Sequence, residues 1–502
     1  MIINNLETLK QFFKQIKTPV FGAGVYAFDR LGLENIIPNY RIIALRYSLD
    51  TKLIEKDIEM LSLEKGMGVK HIQKPRNSTT IIRHPETKKY IEKFNIPNEK
   101  PAILVLKTST KMERFCEKNN WQLIANPTSF GKETFENKIK FRRILKEIDI
   151  PVPPGKIASV DKLHYGHLIN KYGIPFVIQH PTKGGGKGTF FINNQDDFNV
   201  AVKKLKGKWK EEDEETIFTP TPEAIVAKFI QGSSPSITGC VTKHGILSTN
   251  LQHQILDIPE LFNPERGSGL FCGHDWTVSN FDEDISKQAY DAVEKIGQYF
   301  KEMGYKGIFG LDFVLDEKTN KLYIIECNPR LLGSFPTLNM VQLLNNEPLI
   351  LAFHILEFLN IDYEIDLEEI NRLMRQKKVG AQMITHNLTG RWTRNHKQIK
   401  AGVYNIEENK LNYLRPGYDL KHLKNKEEFV LVDGVQIKKS PFSPNRRLCR
   451  ILTLNKTLDD SYKQLTPFAK RVTEIVYKAF DLKPVRWLRL KRKFNPNILA
   501  KG

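Results

Sequence analysis

Gly310-Leu-Asp-Phe-Val314 and Ile324-Ile-Glu-Cys-Asn-Pro-Arg330 flank the polar stretch Asp316-Glu-Lys-Thr-Asn320, and from this succession the reading of the chain begins. Alternating apolar residues on either side of a polar turn predict a β-hairpin that starts at residue 307 and returns to residue 326. Asp312 and Glu326 stand an even number of residues apart across that turn, which puts both carboxylates on one sheet face at adjacent or diagonal positions. Two acids crowded on one face repel unless a cation lies between them, and oxygen ligands of this kind suit Mg2+ held jointly with nucleotide phosphates. Asn328 adds an amide oxygen at the end of the same strand. A solvent-facing pair of acids is the plainer alternative, but the neighbours Leu311, Phe313, Ile324 and Ile325 are apolar. Arg330 follows at the strand exit, placed to contact a transferring phosphoryl group or a carboxylate bidentately.

Upstream, Lys183-Gly-Gly-Gly-Lys-Gly188 lies between two predicted strands, 175–179 and 189–192. Successive residues without a Cβ let several backbone NH groups point at one anion, and the flanking lysines add charge to neutralise phosphate. It is not a P-loop, because no Gly-Lys-Ser/Thr opens a helix here. A mobile hairpin loop without a ligand is the competing account.

The hairpin, with Asp312, Glu326 and Asn328 in that order behind a glycine-rich loop, resembles the metal-binding hairpin of the ATP-grasp superfamily, of the carboxylate-amine ligase type with a biotin carboxylase-like arrangement. The resemblance runs from about residue 135 to 339, somewhat under half of the chain. It implies ATP with Mg2+, or Mn2+ in its place, as cofactors, with Asp312, Glu326 and Asn328 positioning the metal. Asn137-Lys138, ahead of a helix that stops at Pro153-Pro-Gly155, is similar to the Asp-Lys motif whose lysine binds ATP phosphates. Lys138 is therefore expected to hold phosphate, and with Arg330 to spread charge during transfer. Lys183, Gly184, Gly185, Gly186 and Gly188 are expected to cradle the phosphates. The stretch 225–230 resembles the hinge strand, so Lys228, Phe229 and Ile230 are expected to hold the adenine edge through their backbone. Relatives often have glutamate where Ala227 stands, and a strand-end lysine where this chain has Gln179. Gln179 can hydrogen-bond the phosphates but carries no charge, and Lys183 is expected to make up part of the deficit. His180 beside it is a ligand, an acid-base group or simply a structural histidine.

Around these motifs the 502 residues ask for two or three domains. Helical and strand patterns alternate at the start, with a helix over 6–16 and strands over 41–45 and 102–106, as in a Rossmann-like parallel sheet. Gly22 and Gly24 line either a phosphate-binding turn or a tightly packed strand. The expected organisation is α/β throughout: a Rossmann-like preATP-grasp domain over 1–134, a two-lobed ATP-grasp domain over 135–368, and a C-terminal mixed α+β domain over 369–502. Further helices are expected over 137–148, 161–172, 285–303 and 462–480, and strands over 224–230, 236–242, 379–385, 428–433 and 450–454.

A composition of 40% hydrophobic and 27% charged residues is that of a folded chain rather than a disordered one. The opening residues lack the continuous apolar core of a signal peptide, no run is long enough to span a bilayer, and five cysteines form no C-x-x-C pair. A reducing cytoplasm is the expected location. A formal charge of +20 admits acidic small molecules, nucleic acid or an anionic surface as partners. Only the tail 486–493, RWLRLKRK, concentrates cations, as an anionic-surface contact or a solvated helix end. Arg446-Arg447 either binds an acidic substrate or, on the plainer reading, is a solvated basic turn. The expected substrates are a small-molecule carboxylate, activated as an acyl phosphate, and an amine or similar nucleophile. Two other readings stay open: a carboxylase subunit that activates bicarbonate, and a non-catalytic, nucleotide-responsive protein that binds nucleic acid.

Overall fold

The computed structural model describes residues 1–68, 77–184, 186, 188–207, 209–210, 217–263 and 269–485. Gly185 and Lys187 of the glycine-rich segment, the acidic loop 211–215, residues 264–268 and the basic tail 486–493 lie outside the described residues.

The amino-terminal part is a five-stranded parallel sheet. Its spatial order is Met60–Ser62, Tyr40–Ala44, Val20–Gly24, Ala102–Leu104, Gln122–Ile124. Val20–Gly24 is buried along its whole length, as expected of a parallel strand covered on both faces. The packing account of its glycines holds at Gly22, where a Cβ would lie 2.0 Å from the hydroxyl of Tyr40. The strand order reverses direction between Val20–Gly24 and Ala102–Leu104, so the loop after residue 104 leaves the sheet at a topological switch point, where such sheets open a crevice. Asn5 and Ser109 cap the helices Leu6–Lys14 and Thr110–Lys118, each accepting from a backbone NH of the first turn.

A small four-stranded sheet follows, in the order Gly155–Ser159, Glu223–Lys228, Phe176–Gln179, Thr189–Ile192. Its helices Tyr165–Tyr172 and Gln195–Lys206 cover one apolar cluster. The predicted helix over 161–172 is in fact a short turn, Val160–Lys162, and then Tyr165–Tyr172, because His164 at the cap position is extended.

Among the described residues most of the remaining strands belong to one twelve-stranded antiparallel sheet, with a separate three-stranded sheet formed by Pro441–Phe442, Thr393–Asn395 and Leu482–Pro484. The twelve-stranded sheet begins with the hairpin Gly307–Asp316 and Leu322–Asn328, passes through Pro235–Thr242, Gln252–Leu256 and Phe271–Asp275, and runs without a break into Ala381–His386 and Arg447–Thr453. The helix Glu283–Glu302 lays Ile285, Ala289, Val293, Ile296 and Phe300 on this sheet, a stripe at helical spacing. Gly239 makes room there, since a Cβ would meet the Phe309 ring at 2.5 Å.

Two further expectations change. The last helix is Pro467–Phe480 rather than 462–480. Thr466 caps it by accepting from the Ala469 NH, Pro467 occupies the first turn, and Tyr462 sits at φ 59°, which no helix accommodates. Arg447 is no solvated turn residue: its guanidinium pairs with Asp433 at 2.6 Å and lies 4.9 Å over the Tyr26 ring. No helix among the described residues is long and apolar enough to cross a membrane.

Candidate active site

A cleft of about 830 Å³ separates the small sheet from the twelve-stranded one. The hairpin supplies its acidic floor. Asp312 and Glu326 are direct cross-strand partners, so their side chains share a face, and the register slips by one residue just after Asp312. Burial pushes the Asp312 carboxyl up to about 7, with the Glu326 charge adding to the rise and Lys138 and Arg330 opposing it. Asp312 Oδ2 accepts from Asn328 Nδ2 at 2.9 Å and Oδ1 accepts from Gln254 Nε2 at 3.0 Å. Asn328 Oδ1 in turn accepts from Arg330 Nη2 at 2.8 Å.

Lys138 reaches this floor from the other wall. Asn137 accepts the NH groups of Ile139 and Lys140 and so starts the helix Lys138–Glu147 at the lysine itself. The Lys138 ammonium is nearly buried and donates to Glu326 Oε2 at 2.8 Å and to the Lys183 carbonyl at 3.1 Å. One cation therefore ties the acidic floor to the glycine-rich segment.

That segment closes down on the carboxylates. A Cβ on Gly184 would lie 3.1 Å from Glu326 Oε1, and one on Gly188 would lie 2.5 Å from Lys183 Cβ, so side chains at either position would push the loop off its bed. Gly186 takes φ 75°, a conformation that glycine reaches without strain. Gln179 lines the cleft at the strand end and donates to Thr189 Oγ1 at 3.4 Å. His180 is buried behind it: Nδ1 accepts the Thr182 NH at 3.2 Å, and Nε2 lies 3.1 Å from the Thr219 carbonyl, a structural pairing. Burial lowers its basicity, and the charges of Lys183 and Lys138 lower it further.

Lys228, Phe229 and Ile230 line the far end of the same cleft, where the strand Glu223–Lys228 leaves the small sheet. The Phe229 ring meets Phe191 edge-on, which gives that end an apolar wall. Of the residues that the resemblance singles out, Lys138, Gln179, Gly186, Lys228, Phe229, Ile230, Asp312, Glu326, Asn328 and Arg330 thus border one cavity.

Among the polar residues of the cleft that the sequence reading missed are Gln254, His274 and Ser334. Gln254 and His274 are cross-strand partners, on the sheet face that also carries Gln252 and Ser236. His274 lies 3.1 Å from Gln382 through Nδ1, and burial drives its pKa down to about 3, so it is neutral at physiological pH. Ser334 lines the cleft with a fully buried hydroxyl that has no protein partner. The run of polar residues Gln252-His-Gln254 between apolar neighbours was the available signal for the first of these. Ser334 carries no such signal.

Two carboxylates and an amide oxygen are an oxygen-only donor set of the kind a hard divalent cation takes. Among the described residues no group of three His, Cys, Asp or Glu side chains forms a self-sufficient metal cage. The set therefore fits a cation that completes its shell with oxygens from another molecule, and the adjoining cleft leaves room for one.

Residues 135–334 match the ATP-grasp domain family. The large chain of carbamoyl phosphate synthase from Clostridium acetobutylicum is 24% identical over 333 residues, covering 62% of this chain and 28% of that protein. The arginine-specific large chain from Halalkalibacterium halodurans is 23% identical over 204 residues, 41% of this chain and 17% of that one. The chain thus spans under a third of the length of these curated relatives. Among solved structures, biotin carboxylase from Campylobacter jejuni in a β,γ-ATP complex superposes with a TM-score of 0.56 at 14% identity, covering 92% of this chain and 97% of that one. Phosphoribosylamine–glycine ligase from Thermotoga maritima gives a TM-score of 0.53 at 14% identity, with the same coverage of 92% and 97%. At such identities the likeness is one of fold.

Proposed function

We propose that this chain, whose residues 135–334 match the ATP-grasp domain family, is an ATP-dependent ligase that activates a carboxylate as an acyl phosphate and joins it to an amine or similar nucleophile, releasing ADP and phosphate. The observation that carries this reading is the convergence of Asp312, Glu326, Asn328, Lys138 and Arg330 on one cleft beneath a glycine-rich loop. Asp312, Glu326 and Asn328 would hold Mg2+, which when bound neutralises phosphate oxygens and stabilises charge on the transferring group. Lys138 and Arg330, both on the cleft wall, would bring fixed positive charge to that group. The backbone of residues 228–230 would take the adenine, and the glycine-rich loop would shield the acyl phosphate from water.

The product pattern tests this. Incubated with MgATP and pools of amino acids, amines and bicarbonate, the protein should release ADP and orthophosphate only when the right carboxylate and nucleophile are both present, with the joined product visible by mass spectrometry. Release of AMP and pyrophosphate would place it among adenylating ligases. ADP release driven by bicarbonate with no joined product would point instead to a carboxylase subunit.

A second expectation concerns the strand end where Gln179 supplies no charge. Lys183 lies within the loop that Lys138 anchors, and its charge is felt at His180. Lys183→Ala should lower turnover and catalytic efficiency together, by about 10-fold, as loss of a contact made in the transition state does. Lys138→Ala serves as the severely impaired control. Full turnover of Lys183→Ala at saturating ATP, with the control dead, would leave Gln179 to act through neutral hydrogen bonds alone.

A further inference from the structure

The three residues 136–138 make two ion pairs of opposite sense with the end of the hairpin. Lys138 pairs with Glu326 at 2.8 Å, and Glu136 Oε1 accepts from Arg330 Nε at 3.2 Å. The other Glu136 oxygen is taken by the ammonium of Lys107. Lys107 belongs to the loop that follows Ala102–Leu104, at the switch point of the amino-terminal sheet. Glu136 is thus a largely buried carboxylate between two cations, one from the amino-terminal sheet and one from the cleft.

We propose that Glu136, charge-balanced by Lys107, is a positioning residue that aims the Arg330 guanidinium into the cleft. The inference rests on the reading of Arg330 as the residue that meets the transferring group. Each nitrogen of Arg330 has its own acceptor: Nε on Glu136, Nη1 on the Leu331 carbonyl at 3.0 Å, and Nη2 on Asn328 Oδ1 at 2.8 Å. A guanidinium has five N–H groups, so two stay available, and their direction is set by the three that are held. Of the three acceptors only Glu136 is charged, so its contact alone is an ion pair as well as a hydrogen bond. The platform beneath it is rigid. The preceding Phe135 is buried and stacks on Phe300 with ring centroids 3.9 Å apart, and the following Asn137 caps a helix. A free arginine at a strand exit would sample many rotamers; this one cannot swing without breaking an ion pair.

The test uses a probe that needs no knowledge of the substrates. In the full-length protein, aluminium fluoride added to MgADP mimics the transferring phosphoryl group, and calorimetry reads its affinity beside that of MgADP alone. Glu136→Ala should weaken binding of MgADP with aluminium fluoride by about 10–100-fold, the usual cost of losing an orienting partner, and change MgADP alone by less than about twofold. Glu136→Gln, which keeps an acceptor oxygen at the same reach, should recover part of the loss, and Lys107→Met should fall between. In an Arg330→Met background Glu136→Ala should cost nothing more, since the two residues act as one unit.

Equal weakening of both ligands, additivity with Arg330→Met, or unchanged binding in Glu136→Ala would each overturn the proposal. If Glu136→Ala does not fold, the Glu136→Gln and Lys107→Met results decide alone. The underlying reading fails separately: wild-type-like binding in Arg330→Met would remove Arg330 from the transfer step, whereas a weak Arg330→Met beside a normal Glu136→Ala sinks only the positioning role.

Discussion

Asp312→Asn and Glu326→Gln are each expected to remove magnesium-dependent ADP release, by about 1,000-fold or more, because a bound metal contributes several kcal/mol of transition-state stabilisation and each change deletes a charge that holds it. Their effects on stability should differ. Asp312 is partly buried beside Glu326, and its carboxyl is pushed up to about 7, so its ionised form is unwelcome in the folded protein without a cation. Asparagine removes that repulsion and can still accept from Asn328 or Gln254, so the thermal midpoint should hold or rise. Glu326→Gln instead deprives the nearly buried Lys138 ammonium of its carboxylate. That variant should melt lower than Asp312→Asn, by an amount befitting the loss of about 1–3 kcal/mol from a charged hydrogen bond. Steady-state ADP release across a magnesium series, with thermal melts of both variants, checks the pair. Near-wild-type turnover in either would remove that residue from the metal site.

The hairpin was legible because everything that makes it is local. Alternation, a polar turn and an even spacing between two acids are properties of a short window, and Asp312 and Glu326 duly face each other. What the window does not contain is the counter-charge. Lys138 finds Glu326 across 188 residues and Glu136 finds Arg330 across 194, and no local pattern announces such partners. A motif resemblance pointed to Lys138, whereas Glu136, which belongs to no motif, went unnoticed. The same physics explains Arg447. As part of a dipeptide it looks like a solvated turn, but the pairing of Phe429–Val432 with Arg447–Thr453 brings it to Asp433. The late start of the final helix was a different kind of miss: Thr466-Pro467 is a readable start signal, overridden by the apolar spacing of the residues before it.

A second large effect is expected at a pair that does not line the cleft and whose partners are both buried. Lys378 donates to Glu347 Oε1 at 2.6 Å and to the carbonyl oxygens of Met374 and Gln376, and neither side chain is more than 1% exposed. Burial raises Glu347 to about 7 in spite of Lys378, and burial lowers Lys378 in spite of Glu347. Lys378→Met leaves an uncompensated buried carboxylate, which should cost about 3–5 kcal/mol at pH 8. The sign of the pH dependence follows from the acid. Its folded pKa lies above the unfolded value of about 4.3, so the folded chain holds a proton that the unfolded chain has lost, and Glu347's contribution to stability falls as pH rises from about 4 to about 7. Removing Lys378 extends that fall to higher pH, so Lys378→Met should be closest to wild type near pH 5 and furthest from it near pH 8. The double variant Lys378→Met/Glu347→Leu carries no buried charge and should recover most of the loss, because well-packed apolar replacements of buried pairs are often neutral or stabilising. Urea unfolding of the wild type, the single and the double variant at pH 5 and pH 8 decides the matter. If the double variant is no more stable than Lys378→Met at pH 8, the loss came from packing around the lysine stem and not from the stranded carboxylate.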